Sequence, residues 1–289
     1  MSSCAGAVKI TILVDNEANQ GLTVEHGFSA WIETASQRFL FDTGQGSALS
    51  SNAGKLGIAL DSMDTLVLSH GHYDHTGGVP FVVEKAPAVH VYCHPGAIRP
   101  RFAIRDGAAK PIGMPGTSRA ALAGLSPERL HWTAGAIEIA PGIGLTGPIP
   151  RRTDYEDVGG PFFVDGEGRH EDAIEDEMAL WIRMELGLVV VTGCGHAGLI
   201  NTLRYALRLS GASRIHAVLG GFHLREASEA RVARTIAALK ELAPDLMVPC
   251  HCTGERVIEE FAKSFAERVH RGSAGATYTF DDDGAVVGV

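Results

Sequence analysis

The sequence lacks long apolar runs, paired cysteines and an excess of positive charge. No apolar stretch approaches the roughly 20 residues that a membrane-spanning helix needs, and Met1 to Gly6 lack the basic and apolar regions of a signal peptide. The five cysteines are an odd number, so we expect reduced thiols in a cytoplasmic protein that does not associate with membranes. A net charge of −9 argues against nucleic-acid binding, which requires a basic surface.

The chain is long enough, at 289 residues and 45% hydrophobic content, to bury a sizeable core. We expect one domain over residues 1–289, because the candidate ligands described below are scattered along the chain and must converge.

Residues of about 95–130 form a Gly/Pro/Arg-rich insertion. Its six basic residues against two acidic ones give a local charge of +4. We hypothesise that it covers the mouth of a site and attracts an anionic substrate, so that neutralising Arg99, Arg101 and Arg105 raises KM; the alternative is a solvated loop.

Four ligand-type residues follow an apolar run within six positions. The run, Thr65 to Leu68, predicts a short buried strand, and His70, His72, Asp74 and His75 come after it. Imidazole and carboxylate are ligands that suit zinc, and also manganese, iron or nickel. Extended backbone would direct both His70 and His72 to the same side, while Asp74 and His75 could address a second ion. A polar loop with surface histidines accounts poorly for this density.

The closing half of the chain repeats one unit, a buried strand followed by a polar loop and a helix. The strands predicted at Leu188 to Thr192, Ile215 to Leu219 and Leu246 to Pro249 lead to three histidines. These histidines are His196, His223 and His251. Strands that end at one edge with polar residues there are typical of active sites in layered folds, so the pattern alone predicts an α/β or α+β protein. We expect the acidic segment 154–177 to be exposed, with Glu177 as the one residue that could instead mark the start of the next strand.

The motif His70-x-His72-x-Asp74-His75 resembles the metal motif of the metallo-β-lactamase superfamily. Three further signals of that superfamily follow in the expected order, namely Leu40-Phe41-Asp42-Thr43-Gly44, Thr192-Gly193-Cys194-Gly195-His196-Ala197-Gly198 and Val248-Pro249-Cys250-His251-Cys252-Thr253-Gly254. Together they span most of the chain. The resemblance implies an α+β fold, a four-layer αββα sandwich of two mixed β-sheets flanked by helices.

One branch of the superfamily is especially similar. It is the group of dihydropteroate-synthase-like or ribofuranosylaminobenzene phosphate synthase-like proteins of pterin metabolism, in which Glu25-His26-Gly27, Gly220-Gly221-Phe222-His223-Leu224 and His251-Cys252-Thr253-Gly254 recur. The resemblance to this branch therefore implies a function in pterin metabolism as an alternative to the hydrolase function implied by the superfamily as a whole.

The resemblance also implies a ligand set for one or two divalent ions, with zinc favoured. The first ion would be held by His70, His72 and His196, and the second by Asp74, His75 and His251. Asp42 would support a ligand histidine from behind.

His223 stands where most of the superfamily has a bridging aspartate. A neutral imidazole donates one lone pair and does not bridge as a carboxylate can, so His223 either binds one ion or faces the substrate as a general acid. Asp74 would ligate the second ion or orient the nucleophile. Thiolate is a good zinc ligand, but for Cys194, Cys250 and Cys252 we favour the interpretation as buried small residues.

The function implied is a metal-dependent hydrolase that uses a metal-bound hydroxide on a small anionic ester, lactone or phosphoester. Arg151 and Arg152 suit phosphate, and Thr253 precedes a helix start where free N–H groups could seat an anion. The first alternative is a pterin-pathway synthase of the 7,8-dihydropterin-6-ylmethyl-(ribofuranosyl)aminobenzene phosphate synthase type. The second is a non-hydrolytic metal-binding or diiron redox protein. A homodimer is left open.

Overall fold

Seventeen strands and seven α-helices make up the computed structural model, which describes residues 4–281 and 284–288. The strands are β1 (Val8–Val14), β2 (Ser29–Thr34), β3 (Arg38–Phe41), β4 (Thr65–Val67), β5 (His90–Cys93), β6 (Phe102–Arg105), β7 (Ala108–Pro111), β8 (Leu130–Trp132), β9 (Ile137–Ala140), β10 (Ile143–Leu145), β11 (Phe162–Phe163), β12 (Leu180–Met184), β13 (Gly187–Thr192), β14 (Ile215–Gly221), β15 (Leu246–Cys250), β16 (Thr277–Asp281) and β17 (Gly284–Gly288). The helices are α1 (Leu49–Lys55), α2 (Tyr73–Thr76), α3 (Val79–Lys85), α4 (Gly116–Ala123), α5 (Leu199–Ser210), α6 (Glu229–Leu242) and α7 (Glu255–Phe265).

The strands form two large mixed sheets and one small one. The first large sheet has the order β17-β16-β1-β2-β3-β4-β5-β8, and it is antiparallel up to β3 and parallel beyond it. The second has the order β15-β14-β13-β12-β10-β9, with β13, β14 and β15 parallel. The small sheet has the order β11-β6-β7.

Alternation along the strands divides the apolar residues between two faces of each sheet. In β2, Ala30 and Ile32 pack into the core between the sheets, whereas Trp31 between them packs with the residues of the helical layer. In β13, Val189 and Val191 face the other sheet, and Val190 packs with the residues of α5 and α6. Because successive side chains of a strand point to opposite faces, both sheets are covered on both sides. The expected αββα sandwich is confirmed.

The layered arrangement brings the predicted loops to one edge. The ends of β4, β13, β14 and β15 are followed by the loops that carry the candidate histidines. Parallel neighbouring strands end at the same edge of their sheet, so three of these loops are adjacent. The predicted units of strand, loop and helix in the closing half are confirmed in their type and order.

The insertion of residues 95–130 contains a 3-10 helix, the hairpin of β6 and β7, helix α4 and strand β8. The hairpin pairs with β11 to form the small sheet, and Gly113, just past its end, bridges to His72. The small sheet therefore lies beside the metal-motif loop. Within the described residues, no helix is both long and apolar enough to cross a bilayer.

Candidate metal centre

Six histidines and one aspartate converge at the edge where these loops meet. Ring centroids lie 4.5 Å apart for His70 and His72, 5.0 Å for His70 and His196, and 5.0 Å for His75 and His251. The ring of His223 lies 4.0 Å from that of His196. All of these rings except His223, which is partly exposed, are buried, and so is Asp74. The structure thus brings together all seven residues that the sequence nominated as ligands.

Asp42 supports the His75 ring directly and the His70 ring through Ser69. Its Oδ2 lies 2.7 Å from His75 Nδ1 and accepts a hydrogen bond of 2.6 Å from the Ser69 hydroxyl. The Ser69 oxygen lies 2.9 Å from His70 Nδ1. Because the hydroxyl proton goes to Asp42, we assign His70 Nδ1 as the donor to Ser69. Asp42 therefore fixes the orientation of both rings, which is the role that the sequence predicted for it.

Oxygen atoms of other loops hold three further rings in the same way. The distances are 2.9 Å from His196 Nδ1 to the Val158 carbonyl, 2.9 Å from His251 Nδ1 to Asn16 Oδ1, and 3.2 Å from His223 Nε2 to the Gly159 carbonyl. In each of these bonds the donor is the outer nitrogen, the one that faces away from the other histidine rings; the inner nitrogen faces them. The other nitrogen of each ring keeps its lone pair.

The inner nitrogens fit a cation. His70 Nε2 and His72 Nδ1 lie 2.9 Å apart, and two lone pairs this close require a proton or a cation between them. The inner Nε2 of His196 and Nδ1 of His223 are buried and have no hydrogen-bond partner. Burial, together with repulsion from the neighbouring rings, holds the pKa of His70 and His196 well below the ordinary value. These rings are therefore neutral, as metal ligands must be.

A second group of ligand atoms surrounds Asp74. Its Oδ2 lies 3.4 Å from His251 Nε2, 4.0 Å from His75 Nε2 and 3.2 Å from His26 Nε2. Burial raises the pKa of Asp74, but the charge of His75 and contacts with His251 and His26 outweigh burial and hold the pKa well below its usual range. The carboxylate is therefore ionised. His26 was not nominated as a ligand, although it lies in the Glu25-His26-Gly27 motif.

Cys194 lies between the two groups. Its sulfur is 3.3 Å from His75 Nε2, and burial raises the pKa of the thiol well above its ordinary value. Cys194, His223 and Cys252 have ligand atoms that lie within 4.8 Å of one another. Cys250 instead donates a hydrogen bond to the Val248 carbonyl.

Three site residues have left-handed backbone without being glycine. The φ angles are 59° at Asp42, 45° at His223 and 50° at His251. Such conformations cost free energy for residues with a Cβ and persist where the surroundings impose them, commonly at functional sites. Here they turn each side chain toward the cluster at the end of a strand.

The acidic segment 154–177 is exposed only in part, since five of its acidic residues are exposed but four of its carboxylates are buried. Glu177, 2% exposed, accepts a 2.7 Å hydrogen bond from the His196 N–H. Asp176, 1% exposed, accepts one of 2.8 Å from the Gly71 N–H in the metal-motif loop. Glu156 accepts N–H groups in the first turn of α5, where the helix dipole favours an anion. The segment braces the loops that carry the histidines.

The three nominated substrate residues lie outside the central cavity. Arg151 donates hydrogen bonds of 2.7 Å to the His196 carbonyl and 2.8 Å to the Ala173 carbonyl. Arg152 is exposed on another surface, beside α5. Thr253 is buried, with its hydroxyl donating to the Cys250 carbonyl at 2.7 Å. Arg151 and Thr253 thus make structural hydrogen bonds, and none of the three residues lies on the cavity wall.

The cavity above the cluster has a volume of about 190 Å³. Its wall includes the apolar and aromatic side chains of Tyr73, Ile112 and Phe162, and the cations Arg105 and Arg225. The Phe162 ring lies about 5 Å from the His72 and His196 rings, with centroids at 5.5 and 5.3 Å. The sequence did not indicate Phe162 or Arg225, while Arg105 belonged to the insertion hypothesis.

Comparison with known families identifies the fold. The model of the metallo-beta-lactamase superfamily matches residues 22–251. The chain belongs to the metallo-beta-lactamase superfamily. This fold implies the binding of a divalent metal, and groups of histidine, cysteine and aspartate side chains in the cluster could hold it, among them His70, Cys194 and His196.

Two similar proteins come from Methanocaldococcus jannaschii. One, named 7,8-dihydropterin-6-methyl-4-(beta-D-ribofuranosyl)-aminobenzene-5'-phosphate synthase, is 32% identical over an alignment of 285 positions; the match covers 92% of this chain and 95% of the relative. The other is an uncharacterized protein, 33% identical over 88% of this chain and 94% of its own length.

Among solved structures, a metal-dependent hydrolase of the beta-lactamase superfamily is 32% identical with a TM-score of 0.78, covering 93% of this chain and 98% of its own. A metallo-beta-lactamase fold protein of Bacillus subtilis, 12% identical with a TM-score of 0.56 over 94% of this chain and 99% of its own, shares the fold.

Proposed function

We propose that this member of the superfamily is a metal-dependent hydrolase of a small anionic ester, lactone or phosphoester. The observation that carries the proposal is the set of inner histidine nitrogens, each ring braced from outside, that point at one another beside the ionised Asp74. A divalent ion held there would lower the pKa of a bound water toward about 7 and polarise a substrate oxygen. Superfamily membership and the solved hydrolase relative support the assignment.

The side chains around the ion position have separable roles in this reaction. The Asp74 carboxylate accepts a proton or hydrogen bond from the attacking water and orients it. Burial lowers the pKa of His223, but the charges of Cys252 and Glu177 outweigh burial and raise it. Where His223 does not bind an ion, its inner Nδ1 can take up a proton in this environment and pass it to the leaving group. Phe162 lies on the cavity wall beside the His72 and His196 rings, where it would exclude water from one side of the cluster.

Arg105 is expected to attract the substrate. It lies on the cavity wall and pairs with Glu226 at 2.6 Å, but both side chains are exposed, so the pair is weak and an anionic substrate can compete for the guanidinium. Arg105→Ala should raise KM for an anionic substrate by about tenfold and leave kcat within about twofold, because the contact is made equally in the ground and transition states. Steady-state kinetics with anionic and neutral esters of the same acid will measure the effect.

Arg99→Ala is the matched control, since it removes the same charge from an exposed residue of the insertion outside the cavity wall. An equal rise in KM for both variants, or for the neutral ester, would contradict a specific role for Arg105.

Metal analysis combined with a substrate screen tests the proposed function itself. Protein purified without added metal should contain zinc, manganese, iron or nickel, and turnover of phosphodiesters, lactones or thioesters should be lost on chelation and restored by the same metal. Retention of full turnover after complete metal removal would refute the proposal. Two iron atoms without ester turnover would instead favour a diiron redox protein.

The second candidate is the pterin-pathway synthase, favoured by one observation, the relative of that name that matches 92% of the chain. The aromatic wall of Phe162 and Tyr73 suits a flat ring, and Arg105 suits a phosphate. Incubation with a pterin diphosphate and a ribofuranosylaminobenzene phosphate, followed by mass analysis, separates the two. A condensed product favours the synthase, and release of hydrolysed fragments alone favours the hydrolase.

A further inference from the structure

We propose that Cys194 is a metal ligand and that its sulfur bridges the two ion positions of the centre. The inference rests on the metal centre of the proposed function and extends it, because it assigns a residue outside the histidine and aspartate set. It also names the class of ligand, a thiolate, that takes the place of the missing bridging carboxylate.

The loop of Cys194 is built for close approach to the other ligand loops. A Cβ added at Gly193 would lie 2.1 Å from Ser69 Oγ, and one added at Gly195 would lie 3.0 Å from the Gly221 carbonyl. Gly195 also has a φ of +78°. Only glycines on both sides allow the backbone to pass between Ser69 and Gly221, and this passage carries the Cys194 side chain into the cluster.

The Cys194 sulfur has ligand atoms of both groups around it. With His70 and His196 it forms one set whose ligand atoms lie within 4.8 Å of one another, and with His75 and His251 it forms a second. Two donors of one tetrahedral ion, at about 2.0–2.3 Å from it, lie within such a separation. Among the described residues, Cys194 is the residue shared by these two sets.

An independent feature points to an ion beside this sulfur. His196, which is 1% exposed, has its Nδ1 bonded to the Val158 carbonyl, while its Nε2 is buried and has no partner in the described structure. An orphaned buried nitrogen is destabilising, and native proteins rarely leave one without a partner. A cation held jointly with Cys194 removes this cost.

A further anionic ligand would also offset the positive charge that divalent ions bring to the cluster. Asp74 is the one carboxylate among the nominated ligands, and histidines bind metals as neutral imidazoles. The usual bridging position is occupied by His223, whose inner nitrogen has one lone pair. A thiolate carries a negative charge and has several lone pairs, so it can bind two ions. Coordination forms the metal–sulfur bond and releases the thiol proton to solvent, without oxidation or reduction.

Metal–sulfur coordination in the wild-type protein is the direct test. X-ray absorption of the zinc-loaded protein should show sulfur scattering at about 2.3 Å, and the cobalt-substituted protein should show a sulfur-to-cobalt charge-transfer band in the near ultraviolet. Coordination by nitrogen and oxygen alone would overturn the proposal, and this measurement needs no variant that might fail to fold.

The variant Cys194→Ala extends the test. It should lose the charge-transfer band and bind one ion in place of two, with the affinity for the second ion reduced at least 10- to 100-fold. The control is Cys93→Ala, another fully buried cysteine, which lies among the helical-layer residues of the first sheet and not in the cluster; it should keep the band and both ions. An unchanged metal count and spectrum in Cys194→Ala would refute the bridging role.

The results that would refute the proposed hydrolase function differ from those that would refute the Cys194 ligand. Wild-type protein that binds two ions with sulfur coordination but hydrolyses nothing would reject the hydrolase and retain the Cys194 ligand. Wild-type protein that hydrolyses esters with nitrogen and oxygen ligands alone would retain the hydrolase and reject the ligand.

Discussion

Replacing His196 by alanine should lower kcat/KM at least about 1000-fold, which corresponds to roughly 4 kcal/mol of transition-state stabilisation. The ring is 1% exposed and held by the Val158 carbonyl, so its inner nitrogen is fixed in position. Loss of one of three nitrogen donors weakens the first ion position and leaves the substrate oxygen without its electrophile. The variant should therefore lose metal and activity together.

Plasma mass spectrometry after dialysis and steady-state kinetics will measure both quantities. His90→Ala is the matched control, since His90 is exposed on β5 and contacts His131 at 2.9 Å, away from the cavity. That variant should keep its metal and its turnover. Full activity in metal-free His196→Ala would show that the histidine cluster does not perform the chemistry.

Arg101→Ala should destabilise the protein by about 3–5 kcal/mol, the usual cost of removing one partner from a buried ion pair. Arg101 is 3% exposed and lies 2.7 Å from Asp172 and 2.9 Å from Asp176, which are both buried. Its removal leaves two carboxylates without a counter-charge in the interior. Asp176 also accepts the Gly71 N–H, so the ligand loop loses part of its support.

Denaturant unfolding at constant metal concentration measures the effect as a lower midpoint with a similar slope. Arg105→Ala is the control, because the Arg105–Glu226 pair has side chains 57% and 51% exposed and should contribute at most about 1 kcal/mol. Equal stability of the two variants would contradict the ion-pair argument. Arg101 was expected to attract the substrate together with Arg99 and Arg105. Its buried ion pairs give it a structural role, so its substitution does not test substrate attraction.

The ligand residues could be predicted from the sequence because their signal is local. His70, His72, Asp74 and His75 are adjacent in the chain, and a buried strand precedes them, so spacing alone places them at a strand end. His196 and His251 required the resemblance, since each is a single histidine after an apolar run. The αββα layers follow from strand periodicity only in part, and their arrangement also came from the resemblance.

The supporting residues could not be predicted, because their partners are far away in the sequence. Glu177 is buried because it accepts N–H groups of the His196 loop, and Asp176 because it meets Arg101, 75 residues earlier. A carboxylate-rich segment without those partners would be exposed, which is the expectation the composition gave. Phe162 reaches the cluster through a two-residue strand paired with β6, a contact that no local pattern encodes.

The floor and the wall of the cavity come from different parts of the chain. The histidines stand on loops of the two large sheets, whereas Phe162 and Arg105 belong to the small sheet, which is attached through the Arg101 ion pairs. We therefore expect an exchange of the β6–β7 hairpin to change substrate selectivity while the histidine loops keep their geometry.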